Sequence, residues 1–222
     1  MQHESSPQHG QDGGRPRTTT LIFAMAAGLS VANIYFAQPL LDSMARDFAI
    51  APAAIGLVVT LTQLGYGLGL IFIVPLGDLV DRRRLVVGQG LLSVVALVAA
   101  ATARTEAILF AGMAAVGLLA VVVQVLVSFA ATLATPTERG KAVGMVTSGV
   151  VIGILGARFV AGVLADLGGW RAVYLTSAFL TLAMAGLLWR ILPRNLSPGS
   201  TDSYTATLRS IRSNSDAFAA SV

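Results

Sequence analysis

Six long apolar runs with very few charged side chains constrain this sequence more than any other feature. A bilayer core of about 30 Å takes about 20 apolar residues per helical crossing, and in lipid every backbone N–H and C=O group has to be paired within the spanning structure. The runs therefore predict transmembrane α-helices at residues 20–41, 53–76, 85–103, 107–134, 142–165 and 172–192. The chain is 55% apolar and 12% charged, whereas an average soluble domain has roughly 25% charged residues. We therefore expect an all-α membrane protein.

Polar segments flank the predicted bundle on both sides. Residues 1–19 predict a disordered N-terminal tail, residues 20–192 the transmembrane bundle, and residues 193–222 a linker or tail. A cleaved signal peptide is disfavoured, because the 20–41 run exceeds the apolar core of about 7–15 residues that such peptides have. The chain has no cysteine, and its two histidines, His3 and His9, lie in the tail. We therefore expect no disulfide, no histidine-based metal site within the membrane and no cofactor.

The Lys and Arg residues predict the orientation, because cytoplasmic loops keep an excess of positive charge. One predicted side holds only Arg46, Arg104 and Arg171. The other side holds Arg15, Arg17, Arg82, Arg83, Arg84, Arg139, Lys141, Arg190, Arg194, Arg209 and Arg212. Both termini are therefore predicted to be cytoplasmic. Since topology explains the net charge of +4, we expect no nucleic-acid partner.

A faint internal repeat indicates two units of three helices. A shift of 88 residues aligns Gly65 with Gly153, Leu76 with Leu164, Asp78 with Asp166, Leu79 with Leu167 and Arg83 with Arg171. Three helices per unit place the aligned ends on opposite faces of the membrane. The predicted architecture is therefore six transmembrane helices arranged as a 3+3 inverted repeat.

The loop after the second predicted helix reads PLGDLVDRRRL, from Pro75 to Leu85. It resembles the loop of form G-x-L-a-D-R-x-G-R-R that the major facilitator superfamily carries between its second and third helices, although the internal Gly is missing here. The resemblance implies half of a major facilitator fold and a gating loop that latches two such halves together. The candidate gating residues are Gly77, Asp78, Asp81, Arg82, Arg83 and Arg84. The alternative is a positive-inside anchor with an acid that moderates its charge.

Other segments are similar to the same family over residues 20–195. ERGKAVG from Glu138 and GGWRAVY from Gly168 resemble its entries into helices 5 and 6, and ANIYFAQPLL from Ala32 resembles a branch of bacterial members. The fifth helix resembles the glycine-rich motif of the family's exporters, with Ile154 in place of the usual Pro. Its glycines are Gly149, Gly153, Gly156 and Gly162. Plain close packing of helices explains small residues at this spacing equally well.

Arg158 is the one ionisable residue inside a predicted helix core, where a charge costs about 2.5–3.5 kcal/mol even on the lenient insertion scale. We expect it to pair with an anionic group of a substrate or with a carboxylate of a second half. Snorkelling toward the membrane surface is the alternative. Family members line their cavity with helices 1, 2, 4 and 5, so further cavity candidates are Asn33, Gln63, Tyr66 and Gln124. For these neutral side chains, hydrogen bonding between helices is the alternative.

The resemblance implies a secondary transporter of a small molecule that works by alternating access, as an exporter, in the bacterial inner membrane. We expect this chain to be the N-terminal half, to need the C-terminal half or a second copy, and not to transport alone. A channel, a scaffolding subunit and a functional homodimer of halves are the alternatives. An intramembrane serine protease is disfavoured, because no predicted helix carries a histidine to act as base. We therefore expect no enzymatic activity.

Overall fold

The computed structural model describes residues 14–51 and 53–192. Within these ranges the regular structure is helical throughout, as predicted. The elements are α1 (Gly14–Tyr35), α2 (Ala37–Phe48), α3 (Leu57–Phe72), α4 (Leu76–Leu79), α5 (Arg82–Ala101), α6 (Glu106–Leu119), α7 (Val122–Leu133) and α8 (Arg139–Ile191). Most of the predicted tail, residues 1–13, and the predicted linker, residues 193–222, lie outside the described residues. Residues 14–19 continue α1 toward the N-terminus and so belong to the helix.

By length and composition, four helical stretches of the described chain are suited to cross a membrane: Arg17–Phe48, Arg82–Ala101, Glu106–Leu133 and Arg139–Ile191. Leu57–Phe72 is a shorter apolar helix. The helical bodies in the described ranges therefore number five rather than the six predicted. The difference arises because the fifth and sixth predicted helices follow each other without a loop in α8, whose 53 residues include one with non-helical φ and ψ angles, Gly169.

α8 doubles back on itself at Gly169, which has φ 73° and ψ 173°. This backbone conformation is essentially restricted to glycine. The atoms of α1 contact both sides of the break, since Gly28 meets Gly153 and Asn33 meets Thr181. In a straight helix residues 153 and 181 would lie about 42 Å apart. The predicted connection at 166–171 is therefore a break centred on one glycine instead of a loop.

Two prolines account for other differences from the predicted boundaries. Pro39 lacks the N–H that would bind the carbonyl of Tyr35, and the first helix is interrupted there, between α1 and α2. The chain then continues as helix to Phe48, so residues 42–48, which lie between the first two predicted helices, are helical. Likewise α3 ends at Phe72, before Pro75, and the one-turn α4 begins at residue 76, where the second predicted helix was expected to end.

Close backbone contacts hold the helices in two pairs. α3 packs on α6, where a Cβ atom built on Gly65 would lie 2.1 Å from the carbonyl oxygen of Ala114 and one on Gly117 would lie 1.9 Å from that of Thr62. α1 packs in the same way on the first segment of α8, residues 139–168; the second segment is residues 170–191. Small residues at such contacts let helices gain dispersion energy in lipid, where no hydrophobic force drives them together.

Apolar side chains form a core at each end of the bundle. One core surrounds Trp170 and Tyr174 and includes residues of α2, α5 and α6. The other surrounds Phe23 and Phe129, whose rings stack with centroids 5.5 Å apart, and includes residues of α5 and α8.

Candidate functional site

Arg158 lies in the first segment of α8 and binds a side chain of α2. Its Nη2 atom donates to Oε1 of Gln38 at 3.0 Å, and both side chains are exposed. The guanidinium makes one hydrogen bond to the described residues, so most of its five N–H donors have no partner among them. A guanidinium with free donors in an apolar helix can bind a carboxylate or phosphate in bidentate fashion.

Gln38 was missed in the sequence analysis. The segment containing it was singled out for its resemblance, but the side chain was not considered as a cavity residue. The available signal was a polar residue in an apolar run directly before Pro39. Gln38 lies in the first turn of α2 and contacts Arg158, 120 residues further along the chain.

Tyr66 and Gln124 form a second polar pair, between α3 and α7. The Nε2 atom of Gln124 donates to the hydroxyl oxygen of Tyr66 at 3.2 Å. Gln124 is exposed and Tyr66 is half-buried. The structure therefore brings together two of the predicted cavity residues, and these come from the second and fourth predicted helices.

Asn33 and Gln63 are placed differently from these pairs. Asn33 is buried, and its Nδ2 atom donates to the hydroxyl of Thr181 at 3.4 Å while its Oδ1 atom accepts from the hydroxyl of Ser177. Its partners thus lie in the second segment of α8, and the contact is hydrogen bonding between helices. Gln63 is exposed and makes no hydrogen bond within the described residues.

The predicted gating loop contains the cap of α5. Asp81 precedes that helix, and its Oδ1 atom accepts from the backbone N–H of Arg84 at 2.9 Å. A carboxylate at this position satisfies a backbone donor and interacts favourably with the positive end of the helix dipole. Gly77 and Asp78 lie in the one-turn α4, and the chain turns at Val80, which is extended.

Arg82 and Arg83 bind other helices of the same bundle. Arg82 donates from Nη1 to the hydroxyl of Thr132 at 2.9 Å and lies over the ring of Phe129. Arg83 donates to the carbonyl oxygen of Trp189, and its guanidinium carbon lies 4.2 Å from the centre of that indole. The side chain of Arg84 is exposed. Two of the three predicted gating arginines thus connect α5 to α7 and α8.

The four glycines of the fifth predicted helix divide into two kinds. A Cβ atom on Gly149 would lie 2.2 Å from the carbonyl oxygen of Ala24, and one on Gly153 would lie 2.2 Å from that of Gly28. These two glycines allow the backbones of α1 and α8 to touch. Gly156 and Gly162 have open space where a Cβ atom would be.

These observations define the class of the protein, a helical membrane protein with polar pairs set between apolar helices. The described residues contain no group of three or more His, Cys, Asp or Glu side chains that would hold a metal ion. The sequence profile of the Major Facilitator Superfamily matches residues 21–219. The chain therefore belongs to the Major Facilitator Superfamily, a family of membrane transporters.

Curated relatives and solved structures agree with this membership. The chain is 49% identical over 174 residues to the "Uncharacterized transporter YgaY" of Escherichia coli O157:H7, and the alignment covers 78% of this chain and 44% of that protein. It is 30% identical over 169 residues to "Multidrug resistance protein D" of Escherichia coli K12, and the alignment covers 75% of this chain and 41% of that protein. The chain spans less than half the length of these relatives.

A similar fold occurs in a crystal structure of a bacterial homologue of the human lysosomal transporter Spinster. The TM-score is 0.75, the sequence identity is 18%, and the alignment covers 86% of this chain and 47% of that one. At this identity the likeness concerns the fold alone. It shows that the helices of this chain are arranged as in that transporter homologue.

Proposed function

We propose that this chain forms one half of a secondary transporter that exports a small molecule by alternating access. The pair of Arg158 and Gln38 carries the proposal, because an exposed cation within an apolar helix is costly unless it serves a ligand or a partner. Support for export comes from a relative whose name is "Multidrug resistance protein D". Support for a half comes from the matched share of the relatives, which is 44% or less in the two compared above.

Within this proposal α8 crosses the membrane twice, which gives six crossings as a 3+3 inverted repeat with both termini in the cytoplasm. The turn at Gly169 supports two crossings, since 53 helical residues would otherwise extend about 80 Å. The repeat is supported by Gly65 and Gly153, which are 88 residues apart and both lie at backbone contacts between helices. The distribution of Lys and Arg residues supports the orientation, in the bacterial inner membrane.

The substrate in this proposal carries an anionic group that binds Arg158. Gln38 holds the guanidinium at the mouth of a cavity between the two halves, and the pair of Tyr66 and Gln124 contributes further polar contacts. Gln63 is exposed and adds an amide to the same cavity. The competing role for Arg158 is an ion pair with a carboxylate of the second half.

The second half is the C-terminal half of the same transporter or a second copy of this chain. Large apolar side chains of α8 on the outer surface support a partner or lipid there: Phe159 is 75% exposed and Leu155 is 70% exposed. In the proposed latch the exposed Arg84 reaches the second half, while Asp81 and Arg82 hold the loop in place from within. The chain alone is then expected not to transport.

Binding of organic anions tests the substrate class. The chain is purified in detergent, and its apparent melting temperature is measured with a panel of organic anions and their neutral esters. We expect some anions to raise the melting temperature of the wild type and of Arg104→Ala, but not that of Arg158→Ala. Equal shifts for Arg158→Ala, or equal shifts by the esters, would contradict the proposal.

Transport is tested in liposomes that hold the chain alone or together with the part of the Escherichia coli O157:H7 relative that this chain does not match. A carrier gives saturable uptake and counterflow of preloaded substrate, whereas a channel gives continuous flux. We expect carrier behaviour from the pair of polypeptides and none from the chain alone. Continuous flux through the chain alone would favour the channel instead.

A further inference from the structure

An open cavity of about 350 Å³ lies at one end of the bundle, away from Arg158. Four helix ends meet around it: the first turns of α1 and α8 and the last turns of α7 and α8. In a membrane-spanning bundle, helix ends lie at the level of the lipid headgroups. The cavity therefore opens to the headgroup region rather than to the centre of the bilayer.

Two cations of different helices stand at the rim of this cavity. Arg17 belongs to the start of α1 and Lys141 to the start of α8, and both side chains are exposed. Within the described residues, neither side chain takes part in a hydrogen bond or ion pair. Glu138 is the one acid on the rim, so the lining carries a formal charge of +1. Threonine hydroxyls, including that of Thr135, add polar groups beside the cations.

The floor of the cavity is apolar. Among its lining residues Leu133 is 38% exposed and Ala134 is half-buried, whereas Phe23 has no exposed surface. Met145 and Ile191 complete this floor. A free inorganic anion would leave such a surface uncovered, whereas a molecule with a charged head and hydrocarbon chains would cover it and gain about 25 cal/mol per Å² of apolar area.

We propose that this cavity binds the headgroup of an anionic phospholipid. The phosphate group lies between Arg17 and Lys141, and the glycerol and the first methylenes of the acyl chains lie on Leu133 and Met145. Basic pockets between transmembrane helices are a recurring way to hold anionic headgroups. The single negative charge of a phosphodiester matches the +1 charge of the lining. A bound lipid would tie the start of α1 to the start of α8.

Native mass spectrometry of the full chain tests this proposal with phosphatidylglycerol as the probe. The test variant is Arg17→Gln with Lys141→Gln, and the matched control is Arg104→Gln with Arg190→Gln, which removes the same charge from exposed positions outside the cavity. We expect the affinity to fall by about 30-fold in the test variant, since each cation at the lipid surface contributes about fivefold. The control is expected to stay within about twofold of the wild type.

A second variant keeps the test independent of the folding of the first. Glu138→Gln removes the one acid of the rim at an exposed position, and we expect it to strengthen phosphatidylglycerol binding by up to about fivefold. Phosphatidylcholine with the same acyl chains is expected to bind weakly, and inorganic phosphate at millimolar concentration is expected not to compete.

Three results would overturn the proposal. Equal loss of affinity in the test and control variants would show that overall charge, and not the cavity, attracts the lipid. Equal binding of phosphatidylcholine would show that the headgroup charge is not recognised. Competition by inorganic phosphate would show a site for the free anion instead of the lipid.

Discussion

Arg83 and Arg171, which are 88 residues apart, make reciprocal contacts. Arg83 lies at the start of α5 and Arg171 at the start of the second segment of α8, and each binds a backbone carbonyl at the end of the other's segment. Arg83, at the start of α5, donates to the carbonyl oxygen of Trp189 near the end of α8. Arg171, directly after the break in α8, donates from Nη2 to the carbonyl oxygen of Ala103 at 3.1 Å, just beyond the end of α5. Each guanidinium also lies over a tryptophan ring, at 4.2 Å for Trp189 and 4.4 Å for Trp170.

This reciprocal arrangement fastens α5 and the second segment of α8 at both ends. The carbonyl end of a helix carries a partial negative charge that a cation stabilises, and arginine can bind a carbonyl while stacking on an aromatic face. Arg171 is further held by an ion pair with Asp47, whose Oδ2 atom also accepts from the indole N–H of Trp170 at 2.8 Å.

We predict that Arg171→Ala lowers the stability of the bundle by about 1–2 kcal/mol, because a charge-assisted hydrogen bond is lost at a site that is partly screened by solvent. At this chain length that corresponds to a drop in apparent melting temperature of about 2–4 °C per kcal/mol. The measurement is thermal unfolding in detergent, followed by tryptophan fluorescence. Arg104→Ala, at an exposed position, is the control and should leave the melting temperature unchanged. A loss of the same size in the control would contradict the role of Arg171 in fastening α5 to the second segment of α8.

How much of this arrangement the sequence predicts depends on how far apart the partners lie. Apolar runs predict helices because lipid forces each backbone to pair locally, and α5 was predicted at 85–103 and found at Arg82–Ala101. The predicted helices 20–41 and 53–76 ran through Pro39 and Pro75, because whether a helix stops or continues at a proline depends on packing. Asn33 was predicted as a cavity residue, with hydrogen bonding between helices as the alternative, and its partner Ser177 lies 144 residues away. No local pattern carries that information.

The glycines of α8 offer a prediction with an internal control. Gly153→Ala should destabilise the bundle by about 1–3 kcal/mol, since its Cβ atom would meet the backbone of α1 and the helices would have to separate. Gly156→Ala, one turn away in open space, should be neutral or stabilise the helix by up to about 1 kcal/mol. Thermal unfolding of the two variants side by side measures the difference. If both variants behaved alike, the close contact between α1 and α8 would be wrong.

Asn33 is predicted to stabilise the bundle rather than to bind substrate. Asn33→Leu should cost about 0.6–1.7 kcal/mol, the range for hydrogen bonds between membrane helices. A double-mutant cycle with Ser177→Ala should show coupling between the two sites, because they share a hydrogen bond. Gln63→Leu, at an exposed amide without a partner among the described residues, should leave the melting temperature unchanged. Additive effects of Asn33→Leu and Ser177→Ala would contradict the structural role.

The turn of α8 at Gly169 predicts which side of the membrane each end of that helix reaches. Because the chain has no cysteine, single cysteine substitutions can be labelled in intact cells with a reagent that does not cross the inner membrane. Thr137→Cys, just before α8, and Arg190→Cys, at its far end, should both be protected, whereas Asp166→Cys, beside the turn, should be labelled. All three side chains are exposed, so differences in labelling report the side of the membrane. Labelling of Arg190→Cys together with protection of Asp166→Cys would mean that α8 crosses once, and the proposed six crossings would then be wrong.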